Sequence, residues 1–97
     1  MSYEISQYSK NQAMRLKVQI EPSTRKNKKI DVYRDGKYLV SIGDIRYNDY
    51  PYYLKAEREG KYPKGTANRN RYLYHKRHAK DASVPESAGF FAKEILW

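Results

Sequence analysis

Alternation of apolar and polar residues marks the first element of the chain. Residues 14–20 place an apolar side chain at every second position: Met14, Leu16, Val18 and Ile20. A period of two is typical of a β-strand that buries one face. Pro22 ends this predicted strand, because proline cannot donate to the hydrogen-bond ladder of a sheet. Residues 1–12 lack any period, and we predict a flexible arm there and a single small domain over residues 13–97.

Two further strands are predicted on either side of a tight turn. Residues 30–34 and 37–42 have strand-like composition, and Asp35-Gly36 separates them. An Asp-Gly pair is typical of a type I′ turn, which needs positive φ at both central residues. We therefore expect a three-stranded antiparallel meander in which residues 25–29 form the loop between the first two strands.

The second half of the chain carries helix signals. Pro51 fits the first turn of a helix that ends near residue 59, before Gly60. Asn68 is a suitable N-cap for a helix that reaches residue 80, and Ser87 for a helix over residues 88–97. The expected fold class is α+β, with a three-stranded antiparallel meander followed by two or three short helices.

The net charge of +9, from 20 Lys+Arg and 11 Asp+Glu, is concentrated in one region. Residues 81–97 are net acidic, whereas residues 61–80 contain no acidic residue and these basic ones: Lys61, Lys64, Arg69, Arg71, Lys76, Arg77 and Lys80. Net charge governs association more than fold, so this asymmetry indicates an anionic partner.

The basic helix has two interpretations, a solvated face or a surface that contacts phosphates. A solvated helix usually interleaves Glu to form i,i+4 pairs, which this one lacks, so we favour phosphate contact. The loop over residues 25–29 is either a second phosphate contact or a soluble loop tip. The predicted nucleic-acid-binding residues are Arg25, Lys26, Lys28, Lys29, Lys64, Arg69, Arg71, Lys76, Arg77 and Lys80.

Aromatic residues cluster in two segments. Residues 47–53 contain four tyrosines that either stack on nucleobases or form part of the core, and we favour the core: Tyr47, Tyr50, Tyr52 and Tyr53. The apolar stretch 88–97 either closes the core or docks onto a neighbouring subunit through Phe90, Phe91 and Trp97.

Several classes of site are not expected. The chain has no cysteine, which removes disulfides, thiolate zinc sites and cysteine nucleophiles. His75, His78 and Asp81 have a spacing that fits one face of a metal ion, but the surrounding positive charge repels a cation. Neither a Ser/His/Asp arrangement nor a phosphate-cradling Gly-rich loop is present, so we expect no enzyme, no catalytic residue, no metal and no cofactor.

We also do not expect the protein to be inserted in a membrane or secreted. No apolar run approaches the roughly 20 residues that span a bilayer. Residues 1–10 lack a basic region followed by an apolar one, which a secretory signal would have. We predict a protein that is neither secreted nor membrane-bound and that stays in the cell that makes it.

Short segments across residues 21–97 together suggest a family. They are Glu21-Pro22-Ser23-Thr24-Arg25 with Lys28-Lys29, Ile42-Gly43, Asp49-Tyr50, Tyr72 with Arg77-His78, and Ser87-Ala88-Gly89-Phe90 before Leu96-Trp97. The pattern resembles a group of small basic proteins, described as a domain of unknown function, from large DNA viruses of algae and amoebae and from some tailed phages. The resemblance implies a viral origin and a virion- or genome-associated setting, and it supplies no catalytic residues. The expected location is therefore the virion or the interior of the host cell, in the cytoplasm or nucleus.

Charge and resemblance together favour a non-enzymatic viral accessory protein that binds nucleic acid non-specifically through phosphate contacts. DNA is favoured over RNA as the partner. Sequence-specific binding is not predicted, because the chain lacks helix-turn-helix, RNA-recognition and zinc-finger signatures. The alternatives are a minor virion protein that glues acidic capsid surfaces, and a small phage inhibitor of a host nucleic-acid-binding complex. The oligomeric state is left open.

Overall fold

Helices flank a small sheet in the computed structural model, which describes residues 3–97. Three antiparallel strands lie in the order β1-β2-β3. No helix in this range is long and apolar enough to cross a membrane. The predicted α+β class is confirmed, with elements α1 (Gln7–Arg15), β1 (Gln19–Pro22), β2 (Lys28–Arg34), β3 (Lys37–Asp44), α2 (Tyr50–Arg58), α3 (Thr66–Arg77), α4 (Ala79–Ala82) and α5 (Ala88–Leu96).

The turn between β2 and β3 has the geometry that its sequence predicts. Asp35 and Gly36 have φ of 52° and 78°, and Arg34 pairs with Lys37 directly before and after them. Positive φ at both central residues matches the right-handed twist of the flanking strands. The register places Ile30 opposite Ile42, so the inward-facing side chains of both strands meet on one face.

The first element is a helix, so the strand predicted over residues 14–20 and the arm predicted over residues 1–12 are both wrong in part. α1 begins after Ser6, whose hydroxyl accepts a hydrogen bond from the backbone N–H of Ser9. Ser9 is buried and donates to the carbonyl of Ile95 at 2.8 Å, which fixes α1 against α5. Only residues 19–22 form a strand, and residues 1–2 of the predicted arm lie outside the described residues.

One face of the sheet packs against α5 and α1 to form an apolar core, and we call these elements together the body. Ser87 caps α5 as predicted, accepting from the N–H of Phe90. Three apolar residues of α5 are buried against the sheet: Phe91, Ile95 and Leu96. The most deeply buried side chains of the body are Ile30, Val32, Ile42, Phe91, Ile95 and Leu96.

The helices α2 and α3 pack on each other as a second unit, which we call the helical hairpin. Asp49 caps α2 by accepting from the N–H of Tyr52, and Pro51 lies in the first turn as predicted. The expected cap of α3 is wrong: the helix begins after Gly65, while the side chain of Asn68 accepts from the Tyr50 hydroxyl. α3 also ends at Arg77, earlier than predicted, because the chain bends at His78 into the short α4.

Candidate functional site

Most of the predicted phosphate-binding side chains are exposed cations. Some lie on α3, on α4 and in the loop before α3, and the others lie between β1 and β2 or at the first residue of β2. Within residues 3–97 they form no ion pair with a carboxylate, so their charge is available to a partner. This exposed set consists of Arg25, Lys26, Lys28, Lys64, Arg69, Lys76, Arg77 and Lys80.

Lys29 is a structural residue, so its prediction as a phosphate contact is wrong. Its ammonium donates to Oδ2 of Asp49 at 2.8 Å, and the two side chains are only 5% and 3% exposed. Tyr3 donates to the same oxygen at 2.6 Å. Burial, reinforced by the Asp49 carboxylate, raises the pKa of the Tyr3 hydroxyl well above its ordinary value. β2 is the central strand, and the cap of α2 covers the end of it where Lys29 lies.

Arg71 also departs from its predicted role. Its side chain is half-buried, and its guanidinium lies 5.0 Å from the centre of the Tyr50 ring. The Nε atom is buried without a hydrogen-bond partner in the described part of the chain. A cation over an aromatic face stabilises packing, so Arg71 contributes to the interior of the helical hairpin.

The predicted docking residues are used largely inside the molecule. Phe91 is fully buried in the core of the body, which confirms the core interpretation for that residue. Phe90 is half-buried beside it, with the two rings 5.3 Å apart. Trp97 stacks on Tyr74 of α3 and so connects the body to the helical hairpin.

A groove of about 500 Å³ lies between the body and the helical hairpin, and we call it the aromatic groove. Lys28 at the start of β2 lines one wall, and Arg77 in the last turn of α3 lines the other. The loop cluster and the helix cluster therefore each contribute a cation to one concave surface. Gly43 lines the same groove at the end of β3, with φ of 77°.

Aromatic rings supply much of the remaining lining. The rings of Trp97 and Tyr74 are stacked, with centroids 4.6 Å apart and planes within 8°. His78 stacks on Tyr74 at 4.3 Å, and Tyr53 lies 6.3 Å from Trp97 at a tilt of 42°. Tyr47, on the segment that follows β3, lines the groove with 69% of its surface exposed. The groove thus combines flat apolar faces with cations.

One carboxylate lies in the groove, and its charge is balanced locally. Asp44 accepts hydrogen bonds from the Arg46 guanidinium at 2.7–3.2 Å. These bonds hold the pKa of Asp44 at about 2, so the group is ionised at any ordinary pH. Because Arg46 offsets this charge, the groove keeps the positive character of Lys28 and Arg77.

His75 on α3 and His78 directly after it have different environments. Burial, together with the nearby Arg71 and Lys93, lowers the pKa of His75. His78 lies at the groove, 3.4 Å from the carboxylate of Asp81. Across residues 3–97 no three His, Asp or Glu side chains are arranged to hold a metal ion.

The sequence indicated the cations of this site but not its aromatic side. His78, the residue directly after α3, follows Tyr74 by four positions, a spacing that places two residues on one helix face. That spacing is a usable signal, although many helices contain it. Nothing local indicates that Trp97 meets Tyr74, because their contact depends on how α5 and α3 pack.

Searches against protein-family models, curated proteins and solved structures found no match to the chain. The function must therefore be inferred from the exposed set and the aromatic groove.

Proposed function

We propose that the chain is a non-enzymatic viral accessory protein that binds nucleic acid, DNA in the first instance, through phosphate contacts and without sequence specificity. The viral setting rests on the resemblance described above. The binding activity rests on the exposed set, whose cations have no carboxylate partner within residues 3–97. Cations that are not neutralised within the protein are free to replace the counterions of a polyanion.

The distribution of charge supports a polymer as the partner. The exposed set extends from the segment before β2 to α4, so its members can contact several phosphates of one strand. Lys28 and Arg77 both line the aromatic groove, so each cluster contributes a cation to that surface. A repeating anion matches such an extended surface better than a single small ligand does.

A salt titration tests the proposal directly. If about five to eight phosphates are contacted, log K should fall with log salt with a slope of about −4.5 to −7 on duplex DNA. Unrelated sequences should give the same affinity, because phosphate contacts carry no sequence information. A flat salt response, or strong preference for one sequence, would overturn the proposal.

Charge reversal on α3 and α4 identifies the surface. Lys76→Glu with Lys80→Glu should weaken binding to all sequences alike and reduce the salt slope by about 2. The matched control is Lys10→Glu with Lys37→Glu, which changes the net charge equally at exposed positions outside the predicted set. Equal losses in the two double variants would assign binding to net charge alone and contradict a defined surface.

In the two alternatives, a capsid-gluing protein and an inhibitor of a host complex, the same cations would bind carboxylates of a partner protein. A capsid-gluing protein would remain with emptied, genome-free capsids, and an inhibitor would retain a host protein after nuclease treatment. Release together with the genome favours nucleic-acid binding. The burial of Phe91 leaves the capsid alternative with fewer apolar anchors than its sequence suggested.

A further inference from the structure

The aromatic groove has more apolar surface than a phosphate contact requires. Phosphates of a duplex are bound by exposed cations on a convex or flat surface, as Lys76 and Lys80 provide. The groove instead is concave, and the rings of Tyr47, Tyr74 and Trp97 line it. Its chemistry therefore calls for a ligand with a flat apolar part as well as an anionic part.

The two walls place these complementary features close together. Lys28 belongs to the body and Arg77 to the helical hairpin, and both are exposed and without an ion pair in residues 3–97. The stacked rings of Tyr74 and Trp97 lie in the same lining, and Tyr47 exposes 69% of its surface there. A ligand that reaches the rings lies within the field of both cations.

The size of the groove fits a nucleotide. Its volume of about 500 Å³ lies within the roughly 300–1,000 Å³ of small-ligand sites. A base in a duplex has its faces covered by its neighbours, so only an unpaired base can present a face to a protein ring. Stacking tolerates every base, which agrees with binding that does not read sequence.

We infer that the aromatic groove binds an unpaired nucleotide of a single strand, with its base against Tyr47 and Trp97 and its phosphates at Lys28 and Arg77. This inference rests on the proposed function, since it names the form of nucleic acid that the same surface prefers. The single strand is held by stacking and charge, whereas a duplex is held by charge alone.

Trp97 is the single tryptophan of the chain, so tryptophan fluorescence reports on the aromatic groove that it lines. The protein is titrated with a single strand of about 12 thymidines, a length within the range of single-stranded sites. A blunt duplex and inorganic polyphosphate of similar charge are titrated in parallel. Stacking of a base on the groove rings should quench Trp97 fluorescence saturably with the single strand and not with the other two polyanions.

Two exposed tyrosines provide a matched pair of variants. Tyr47 lines the groove, whereas Tyr72 is similarly exposed, at 64%, on α3 and lies outside the lining. Tyr47→Ala should weaken binding of the thymidine strand by about fivefold or more, as loss of one stacked base does, and leave polyphosphate binding unchanged. Tyr72→Ala should leave both affinities unchanged.

Two exposed arginines of α3 provide the second pair. Arg77 lines the groove and Arg69 does not. Arg77→Ala should weaken the thymidine strand more than polyphosphate, because the stacked base holds a phosphate of the strand at this position, whereas polyphosphate can shift to other cations. Arg69→Ala should weaken both polyanions by the same factor and leave the preference unchanged.

The outcomes separate this inference from the proposed function. Equal binding of all three polyanions, with no quenching and no difference between the tyrosine variants, overturns the groove assignment and leaves phosphate binding standing. Failure of all three to bind at low salt overturns the proposed function, and the groove assignment with it. Selective quenching by the thymidine strand, lost in Tyr47→Ala alone, supports both.

Discussion

The body and the helical hairpin achieve their stability by different means. In the body, Ile30, Ile42 and Phe91 are essentially inaccessible to water, so burial of aliphatic and aromatic surface dominates. The helical hairpin buries little more than Ala56, Ala67 and the ring of Tyr50. A helix pair with so little apolar surface of its own depends on the unit to which it is joined. The join between the two units includes aromatic ring contacts and the buried Lys29–Asp49 ion pair, and the aromatic groove lies along it.

Truncation of a core ring should have the largest effect and should separate the two regions most clearly. Phe91→Ala removes a fully buried ring from the body and should lower the free energy of unfolding by about 3–5 kcal/mol. Tyr62→Ala removes an exposed ring at the helical hairpin and should cost about 1 kcal/mol or less. Urea unfolding followed by circular dichroism measures both. Similar losses would contradict the difference between the regions.

Removal of the buried ammonium tests the join itself. Lys29→Met leaves the Asp49 carboxylate buried with only the bonds from Tyr3 and the N–H of Tyr52, and should cost about 3 kcal/mol. The control is Lys28→Met, one residue earlier and exposed, which should change stability by about 0.5 kcal/mol or less. Amide exchange in α2 should accelerate more than in β3 in the Lys29 variant. Uniform acceleration would mean that the ion pair does not belong specifically to the join.

Two glycines with nearly the same φ allow the cost of a positive φ to be separated from the cost of a steric clash when alanine is introduced. Gly36 and Gly43 have φ of 78° and 77°, and an alanine at either should cost about 1–2 kcal/mol for that conformation. A Cβ at Gly36 meets open space, whereas at Gly43 it would lie 2.7 Å from Cδ1 of Leu96 and 2.9 Å from Cδ of Lys29. Gly43→Ala should therefore be the more destabilising, by at least about 1 kcal/mol. Equal unfolding midpoints in urea would show that the neighbours of Gly43 can move aside freely.

The smallest expected effect concerns pH and the interior of the helical hairpin. Burial and the charges of Arg71 and Lys93 lower the pKa of His75, so the folded state takes up a proton at lower pH than the unfolded state does. The free energy of unfolding should therefore fall as pH drops below about 6.5, the ordinary pKa of histidine. Urea midpoints at about pH 5 and about pH 7.5 measure this loss.

His75→Gln should reduce that pH dependence, and His78→Gln should preserve it. His78 is a suitable control because it is the other histidine of the chain and lines the aromatic groove, outside the interior of the helical hairpin. A pH dependence that persists unchanged in the His75 variant would assign the effect to other groups.

The sequence predicted those parts of the fold whose causes are local. The Asp35-Gly36 turn, the Ser87 cap and the position of Pro51 follow from the chemistry of adjacent residues, and each lies where it was expected. α1 was missed because residues 7–12 are mostly polar and show no apolar period, and because the alternation over residues 14–20 imitates a strand. The deciding contact, from Ser9 to the carbonyl of Ile95, joins segments that are far apart in the chain.

In the candidate site too, features with local causes could be predicted and those that depend on distant contacts could not. Exposed cations could be predicted, since lysine and arginine rarely leave water without a partner. Lys29 was missed because its partner Asp49 reaches it only when the cap of α2 lies over β2. The stack of Trp97 on Tyr74 likewise depends on the placement of α5 beside α3, which no periodicity records.

The burial of Lys29 makes the reactivity of its amine a measure of how often the protein opens. Its amine lies between the aromatic groove and a second cavity of about 430 Å³ and borders both, yet water hardly reaches it. An acylating reagent should modify the exposed Lys28 at once and Lys29 only when the two units part. The delay between modification of Lys28 and modification of Lys29 would then measure how often the two units part. Mass spectrometry of the peptide that contains both lysines would follow the two modifications separately.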